Sequence, residues 1–354
     1  MRKGIESLFL FFQFVFWGLL GVSCDDAQAP KLIGYDIPNY FTSQILAKED
    51  TINKILATAK DYSSYLFFSD AHWEINQRHT PEIIRHIKDS TGINKVFFGG
   101  DAISGSSDKR SSYDIGVQFS KLFSFIHNFF PIVGNHDSNK SGNDDPDTFF
   151  SDDEVYDFLH QSLKNNPMVH YGHQFCYYVD DEEEKTRFIC LDNGLRPMST
   201  NSILFLCNAL SDIADGWHII ILTHIIFDAS NYYDVNTIYF SPVCDKIVKV
   251  AEAYNRHQKC HVSDEIEYDF ELSMGHVEFI MGGHIHRDFI SSSAQSIPLI
   301  ALDCDCLYSY SIYGNGIGTL NEQCITAVVA DYSNNQLCLV RFGRGKDLVM
   351  PIRK

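Results

Sequence analysis

The residues of this chain whose types and spacing could do chemistry fall into five short segments. They are Ser69-Asp70-Ala71-His72, Gly99-Gly100-Asp101, Gly134-Asn135-His136-Asp137, Thr223-His224 and Gly282-Gly283-His284-Ile285-His286. Together they supply carboxylate, amide and imidazole donors, the groups that hold divalent cations. Asp70 and His72 lie two residues apart, so on an extended turn they point the same way and can grip one ion together. Asp101 carries two carboxylate oxygens and can bridge two ions, while Asn135 offers a neutral carbonyl oxygen. His284 and His286, again two apart, can each serve a different ion. Mixed oxygen and nitrogen donors suit Mn²⁺, Fe, Zn²⁺ or Ni²⁺ better than Ca²⁺. Two such ions clamp the attacking and leaving oxygens of an in-line displacement and lower the pKa of a shared water.

The elements that must position these groups are readable as apolar runs ending at each segment. Tyr65 to Phe68, Lys95 to Phe98, Phe129 to Val133, Trp217 to Leu222 and Val277 to Met281 read as buried strands. Open α/β sheets present ligand groups on the loops just past the carboxyl ends of their strands. Between the strands, Thr80 and Pro81 read as the N-cap and first residue of a helix over Glu82 to Lys88, stopped by Gly92. Further helices are predicted over Ile115 to Phe125, Glu154 to Leu163, Ser202 to Ala214 and Pro242 to Tyr254. Gln174 to Val179 and Lys185 to Leu191 read as a hairpin, Pro298 to Leu302 as a strand, and Cys324 to Ala330 with Gln336 to Phe342 as a closing pair.

Residues 65 to 354 resemble the calcineurin-like metallophosphoesterases. That family's pattern is DxH, GD, GNH followed by an acid, a lone His, and GHxH; the five segments above match it in type, order and strand context. The resemblance implies an α/β fold, a four-layer α/β/β/α sandwich. It also implies a binuclear centre, with Asp70, His72, Asp101 and His286 on the first metal and Asp101, Asn135, His224 and His284 on the second. The activity implied is hydrolysis of a phosphomonoester or phosphodiester by direct attack of a metal-bridging hydroxide. In that scheme His136 sits by the leaving group as a catalytic residue. In the protein-phosphatase branch an Asp three residues past the GD aspartate orients that histidine; this chain has Ser104 there, which leaves Asp137 as a stand-in. Trp73, Asn76 and His79, and also Asn193, Arg287 and Asp288, are candidates for the substrate cleft, set against ordinary loop and cap roles.

Composition narrows the function classes. The 354 residues carry a formal charge of −18, which repels a polyphosphate backbone and disfavours a nuclease of the same fold. A metal-bound, non-catalytic scaffold is the rival from another class, and every ligand position is filled against it. At the N-terminus, Arg2 and Lys3 precede an apolar stretch from Leu8 to Val22, shorter than the ~20 residues a spanning helix needs. It fits a secretory signal, and Leu20-Gly21-Val22-Ser23-Cys24 resembles a bacterial lipoprotein signal. The expectation is an exported chain, anchored to a bacterial envelope membrane through lipid on Cys24. Residues 1–24 are then the signal peptide, 25–60 a polar lead-in, and 61–354 one catalytic domain. Most of the nine later cysteines, among them Cys176, Cys190, Cys207, Cys324 and Cys338, sit in apolar patterns and read as buried thiols. Cys304 and Cys306 flank Asp305, too close for an easy mutual bridge.

Overall fold

A computed structural model describes residue 32 and residues 34–75, 79–141, 143–230, 237–263, 266–291, 297–307 and 316–352. The leader, Cys24 and Asn76 lie outside the described residues. Among those described, no helix is long and apolar enough to cross a membrane.

The described fold starts with α1 (Asn39–Thr58), then runs β1 (Tyr62–Phe68), α2 (Thr80–Thr91), β2 (Val96–Phe98), α3 (Lys109–Phe123) and β3 (Phe129–Pro131). A short helix α4 (Asp152–Val155) leads to β4 (Val169–Tyr171), β5 (Tyr177–Asp181) and β6 (Thr186–Leu191). Next come α5 (Thr200–Ser211), β7 (His218–Thr223), a ribbon of β8 (Phe227–Ala229) and β9 (Ile238–Phe240), and α6 (Asp245–Asn255). A second ribbon, β10 (Lys259–His261) and β11 (Glu267–Asp269), precedes β12 (His276–Gly282), β13 (Phe289–Ile290) and β14 (Leu299–Ala301). The chain closes with β15 (Cys324–Asp331), β16 (Gln336–Gly343) and β17 (Leu348–Pro351).

The described strands form two large mixed sheets, ordered β17-β16-β15-β1-β2-β3 and β13-β14-β12-β7-β6-β5-β4. β1, β2 and β3 are parallel to one another, as are β6, β7, β12 and β14 in the other sheet. Side chains alternate across each strand. On β1, Tyr65 and Phe67 enter a core shared with Phe188, Ile220 and Met281 of the second sheet. Leu66 and Phe68 turn the other way, onto α1, α2 and α3. The second sheet turns its outer face, including Ile219 and Ile221, onto α5 and α6. Helix–sheet, sheet–sheet and sheet–helix cores therefore follow one another, as in a sandwich. Strands buried on both faces must be apolar throughout, which is why they read as unbroken runs.

One stretch departs from expectation. The polar lead-in contains the 20-residue α1, and its Phe41, Ile45 and Ile52 are fully buried against the first sheet. Gln44 pins it to β16 by accepting from the Gly343 N–H at 2.7 Å and donating to the Gly343 carbonyl at 2.9 Å. Thr42 and Glu49 are buried on the same helix, and these polar residues break the apolar stripe that would have signalled it. The helix expected over Glu154 to Leu163 is interrupted, α4 giving way to a wider turn over Tyr156–His160.

Candidate metal centre

All seven expected metal ligands lie on loops at the carboxyl ends of the parallel strands. Asp70 and His72 follow β1, Asp101 follows β2, Asn135 follows β3, His224 follows β7, and His284 and His286 follow β12. The two sheets bring these ends to one edge of the sandwich. The loops bend sharply there: Asp70, His72, Asp101, His284 and His286 have φ of +53°, +40°, +61°, +73° and +52°. A side chain in this left-handed region costs of order 1–3 kcal/mol and persists only where the surroundings over-determine it. Five of the ten described non-glycine residues with positive φ are thus candidate ligands at this centre. Two glycines let the loops close up: a Cβ on Gly134 would collide with the Asp101 carboxylate, and one on Gly283 with Ser69 Oγ and Asp70 Oδ2.

The loop after β2 organises the histidines. His224 Nδ1–H donates to the Gly99 carbonyl at 2.7 Å, His72 Nδ1–H to that of Ile103 at 3.1 Å, and His136 Nδ1–H to that of Ser104 at 2.6 Å. Since a carbonyl only accepts, Nδ1 of each ring carries a proton and Nε2 is the atom left to face the centre, with a lone pair there whenever the ring is neutral. Those three Nε2 atoms lie 3.2, 4.0 and 3.9 Å from a single oxygen, Asp101 Oδ2. That oxygen is buried and accepts no hydrogen bond, while Asp101 Oδ1 accepts from the His136 N–H at 2.8 Å. An orphaned carboxylate oxygen ringed by imidazole Nε2 atoms has the composition of a metal site.

The spacings fit as well. Two ligand atoms about 2.1 Å from one ion are separated by roughly 3.0–3.4 Å in octahedral to tetrahedral geometry. His72 Nε2 and His286 Nε2 are 3.3 Å apart, and His286 Nε2 is 3.2 Å from Asp70 Oδ1. On the other side, His224 Nε2 is 3.0 Å from Asn135 Oδ1. Asp101, His224 and His284 form one metal-sized group, and His72, Asp101 and His136 another.

Electrostatics point the same way. Burial lowers the His224 imidazole, but the Asp101 and Asp70 carboxylates and the Gly99 carbonyl outweigh it and raise the group to about 10. Positive charge is therefore strongly favoured at this spot. Burial pushes Asp70 up, yet His286 and His224 hold it down at about 2. His72, without so close a carboxylate, is driven by burial down to about 3 and stays a neutral donor.

Asp137 does not orient His136. Its carboxylate is fully buried and accepts three backbone N–H groups, from Gly134 at 2.7 Å, Ala102 at 2.8 Å and Asp101 at 3.0 Å. It clamps the loop after β2 to the loop after β3; burial and the Asp101 charge push it up to about 7. The orienting group is the main-chain carbonyl of Ser104, at the position where the phosphatase branch has an aspartate.

Of the cleft candidates, Trp73 is half-buried with its ring against Phe119 and Phe123, at 5.9 and 6.4 Å. His79 precedes α2 and meets Phe41 at 6.4 Å. Thr80 does not cap that helix; its hydroxyl donates to Asp305 Oδ2 at 2.7 Å. Asn193 brackets Ile225, accepting from its N–H at 3.0 Å and donating to its carbonyl at 2.6 Å, so it supports the His224 loop. Asp288 pairs with the buried Arg341. Two residues that motif reading passes over reach the centre. Asp228 on β8 lies 3.3 Å from His284 Nε2, and Cys306 groups with His72 and His286. Neither sits in a motif, and only the fold brings them in.

The sequence matches the calcineurin-like phosphoesterases over residues 63–288, well over half of the chain. The chain belongs to that family. Family membership makes it a phosphoesterase, and the family's chemistry depends on divalent metal ions. No curated protein matches it significantly. Among solved structures, a dimetal phosphatase from Danio rerio is similar at 10% identity and TM-score 0.51, over 82% of this chain and 98% of that one. GAP50, the anchor in the inner membrane complex of Plasmodium, matches at 12% identity and TM-score 0.45, over 83% and 90%. TT1561 of Thermus thermophilus matches at 9% identity and TM-score 0.42, over 84% and 100%. The first of these likenesses concerns the fold alone.

Proposed function

We propose that this metallophosphoesterase hydrolyses a phosphomonoester or phosphodiester at a two-metal centre, with Asp101 between the two sites and His136 serving the leaving group. The observation that supports it most is the convergence of three imidazole Nε2 atoms on the orphaned Asp101 Oδ2. Divalent ions held by Asp70, His72, Asp101, Asn135, His224, His284 and His286 would supply positive charge to the phosphoryl oxygens and a water of lowered pKa. Asp101 orients both halves of the centre, because its Oδ1 is tied to the His136 N–H while Oδ2 faces the imidazoles. His136 differs from the two fully buried rings around it: its side chain is 22% exposed, against 0% for His72 and His224. With Nδ1–H committed to Ser104, the remaining ring nitrogen is Nε2; it lies 3.5 Å from Ser141 Oγ and can carry a proton to a departing oxygen. The charge of −18 favours small phosphoesters over nucleic acid.

His136→Ala tests the assignment. It should keep most bound metal and lose roughly 10²–10⁴-fold in rate, the usual span for one positioned acid, with a smaller loss on a substrate whose leaving group is a stable phenolate. A variant that instead lost its metals would make His136 a ligand. We further propose, from the N-terminal pattern alone, that the chain is exported and held at a bacterial envelope membrane by lipid on Cys24.

A further inference from the structure

We propose that Cys306 is a thiolate ligand of the first metal site, joining His72 and His286 and biasing that site towards thiophilic ions such as Zn²⁺, Co²⁺ or Fe²⁺ over Mg²⁺ and Mn²⁺. This rests on the metal-centre reading above and adds a donor that the family's motif lacks.

Three features support it. First, the Cys306 sulfur and one ring nitrogen each of His72 and His286 lie within 4.8 Å of one another, and Cys306 and His72 are fully buried. Second, the position is built. Cys306 lies on the loop after β14, which runs parallel to β12, so it reaches the same edge of the sandwich as the other ligands. The Asp305 N–H donates to the Ser69 carbonyl at 2.7 Å, and the Cys306 N–H to the Asp70 carbonyl at 3.3 Å. The Asp305 carboxylate in turn accepts from Thr80 Oγ at 2.7 Å and from the Cys324 N–H at 3.1 Å. The loop is thus fastened to the very turn that carries Asp70 and His72. Third, Cys306 lies outside the apolar cores that hold Cys176, Cys190, Cys207, Cys244 and Cys260; Cys304, Cys324 and Cys338 lie outside them too, and of these four only Cys306 groups with the metal-site histidines among the described residues. Its neighbour Cys304 touches Cys306 but is outside the group formed with the histidines: its thiol donates to the Cys306 carbonyl at 3.3 Å and its sulfur accepts from Arg344 Nη2 at 3.4 Å.

Ligation exchanges an S–H bond for a metal–sulfur bond and releases one proton to solvent. Soft thiolate donors select Zn²⁺ and similar ions, while Mg²⁺ and Mn²⁺ favour oxygen. The test is reconstitution of the full chain, Cys306→Ser and Cys304→Ser with Co²⁺, reading bound metal per chain, thermal melting and the near-ultraviolet absorption. The wild type and Cys304→Ser should show a sulfur-to-cobalt charge-transfer band, and Cys306→Ser should lack it while still melting cooperatively and binding cobalt. Zn²⁺ affinity at the first site should fall at least roughly 10–100-fold in Cys306→Ser, the loss typical even of outer-sphere changes, with little change for Mn²⁺. Bound cobalt without the band in the wild type, or a band that survives in Cys306→Ser, overturns the assignment of Cys306. A wild-type chain that binds no cobalt overturns it together with the metal-centre reading.

Discussion

Asp137 separates a support role from a catalytic one, because the amino-acid sequence and the structure assign it differently. Asp137→Ala removes the acceptor of three buried N–H groups, those of Gly134, Ala102 and Asp101. A buried donor left without a partner costs about 1–3 kcal/mol, so the substitution should cost on the order of 3–6 kcal/mol after local relaxation. That is a large share of a domain stability of roughly 5–15 kcal/mol. Asp137→Asn keeps one acceptor oxygen but sets an NH₂ group against backbone donors, and should cost about 1–3 kcal/mol. Because the clamp joins the loops bearing Asp101 and Asn135, both variants should also bind metal more weakly. Urea unfolding, metal content per chain and hydrolysis at saturating metal measure the three effects. Asp137→Asn should unfold at lower urea, retain less metal, and recover much of its activity as metal is raised. A variant with wild-type stability and full metal content, yet a rate loss matching that of His136→Ala, would refute the clamp and restore Asp137 as the partner of His136.

Two further outcomes check other parts of the account. His160 is fully buried beside Phe175 and Tyr177, and burial lowers it to about 3. The unfolded chain protonates this group near 6.5, so stability is lost as pH falls below 6.5: about 2 kcal/mol from this group at pH 5, which His160→Phe should remove from the urea-derived pH dependence. An unchanged pH dependence in the variant would count against it. Lipid on Cys24 predicts that the mature protein partitions into detergent and that Cys24→Ala is released or left unprocessed; mass spectrometry showing an unmodified Cys24 behind an intact leader would sink the idea.

The chemistry-bearing segments were legible because a fold that places ligands past strand ends writes each one next to a strand. Asp70, Asp101, Asn135, His224 and His284 all follow apolar runs that are now β1, β2, β3, β7 and β12. Adjacency misled where direction mattered. Asp137 neighbours His136 in the chain, yet its carboxylate turns onto buried backbone N–H groups while the ring of the partly exposed His136 turns to the Ser104 carbonyl. The carbonyls of Gly99, Ile103 and Ser104 that set the imidazole tautomers are main-chain groups, which residue type cannot announce. Cys306 and Asp228 approach the histidines only after β14 and β8 are placed beside the other strands. Trp73 and His79 are cleft candidates because they follow the first motif; both are partly exposed, with aromatic neighbours at 5.9 and 6.4 Å.

The measurement that tests the centre most directly is metal stoichiometry in the wild type and in Asp101→Asn, read alongside turnover of a chromogenic phosphodiester. Asp101 Oδ2 lies within 3.2–4.0 Å of imidazoles from both halves of the site, so one lost charge should be felt by both ions. The account predicts two divalent ions per wild-type chain, reduced occupancy at both positions in Asp101→Asn, and no turnover in that variant. Two tightly bound ions and normal activity in Asp101→Asn would contradict it.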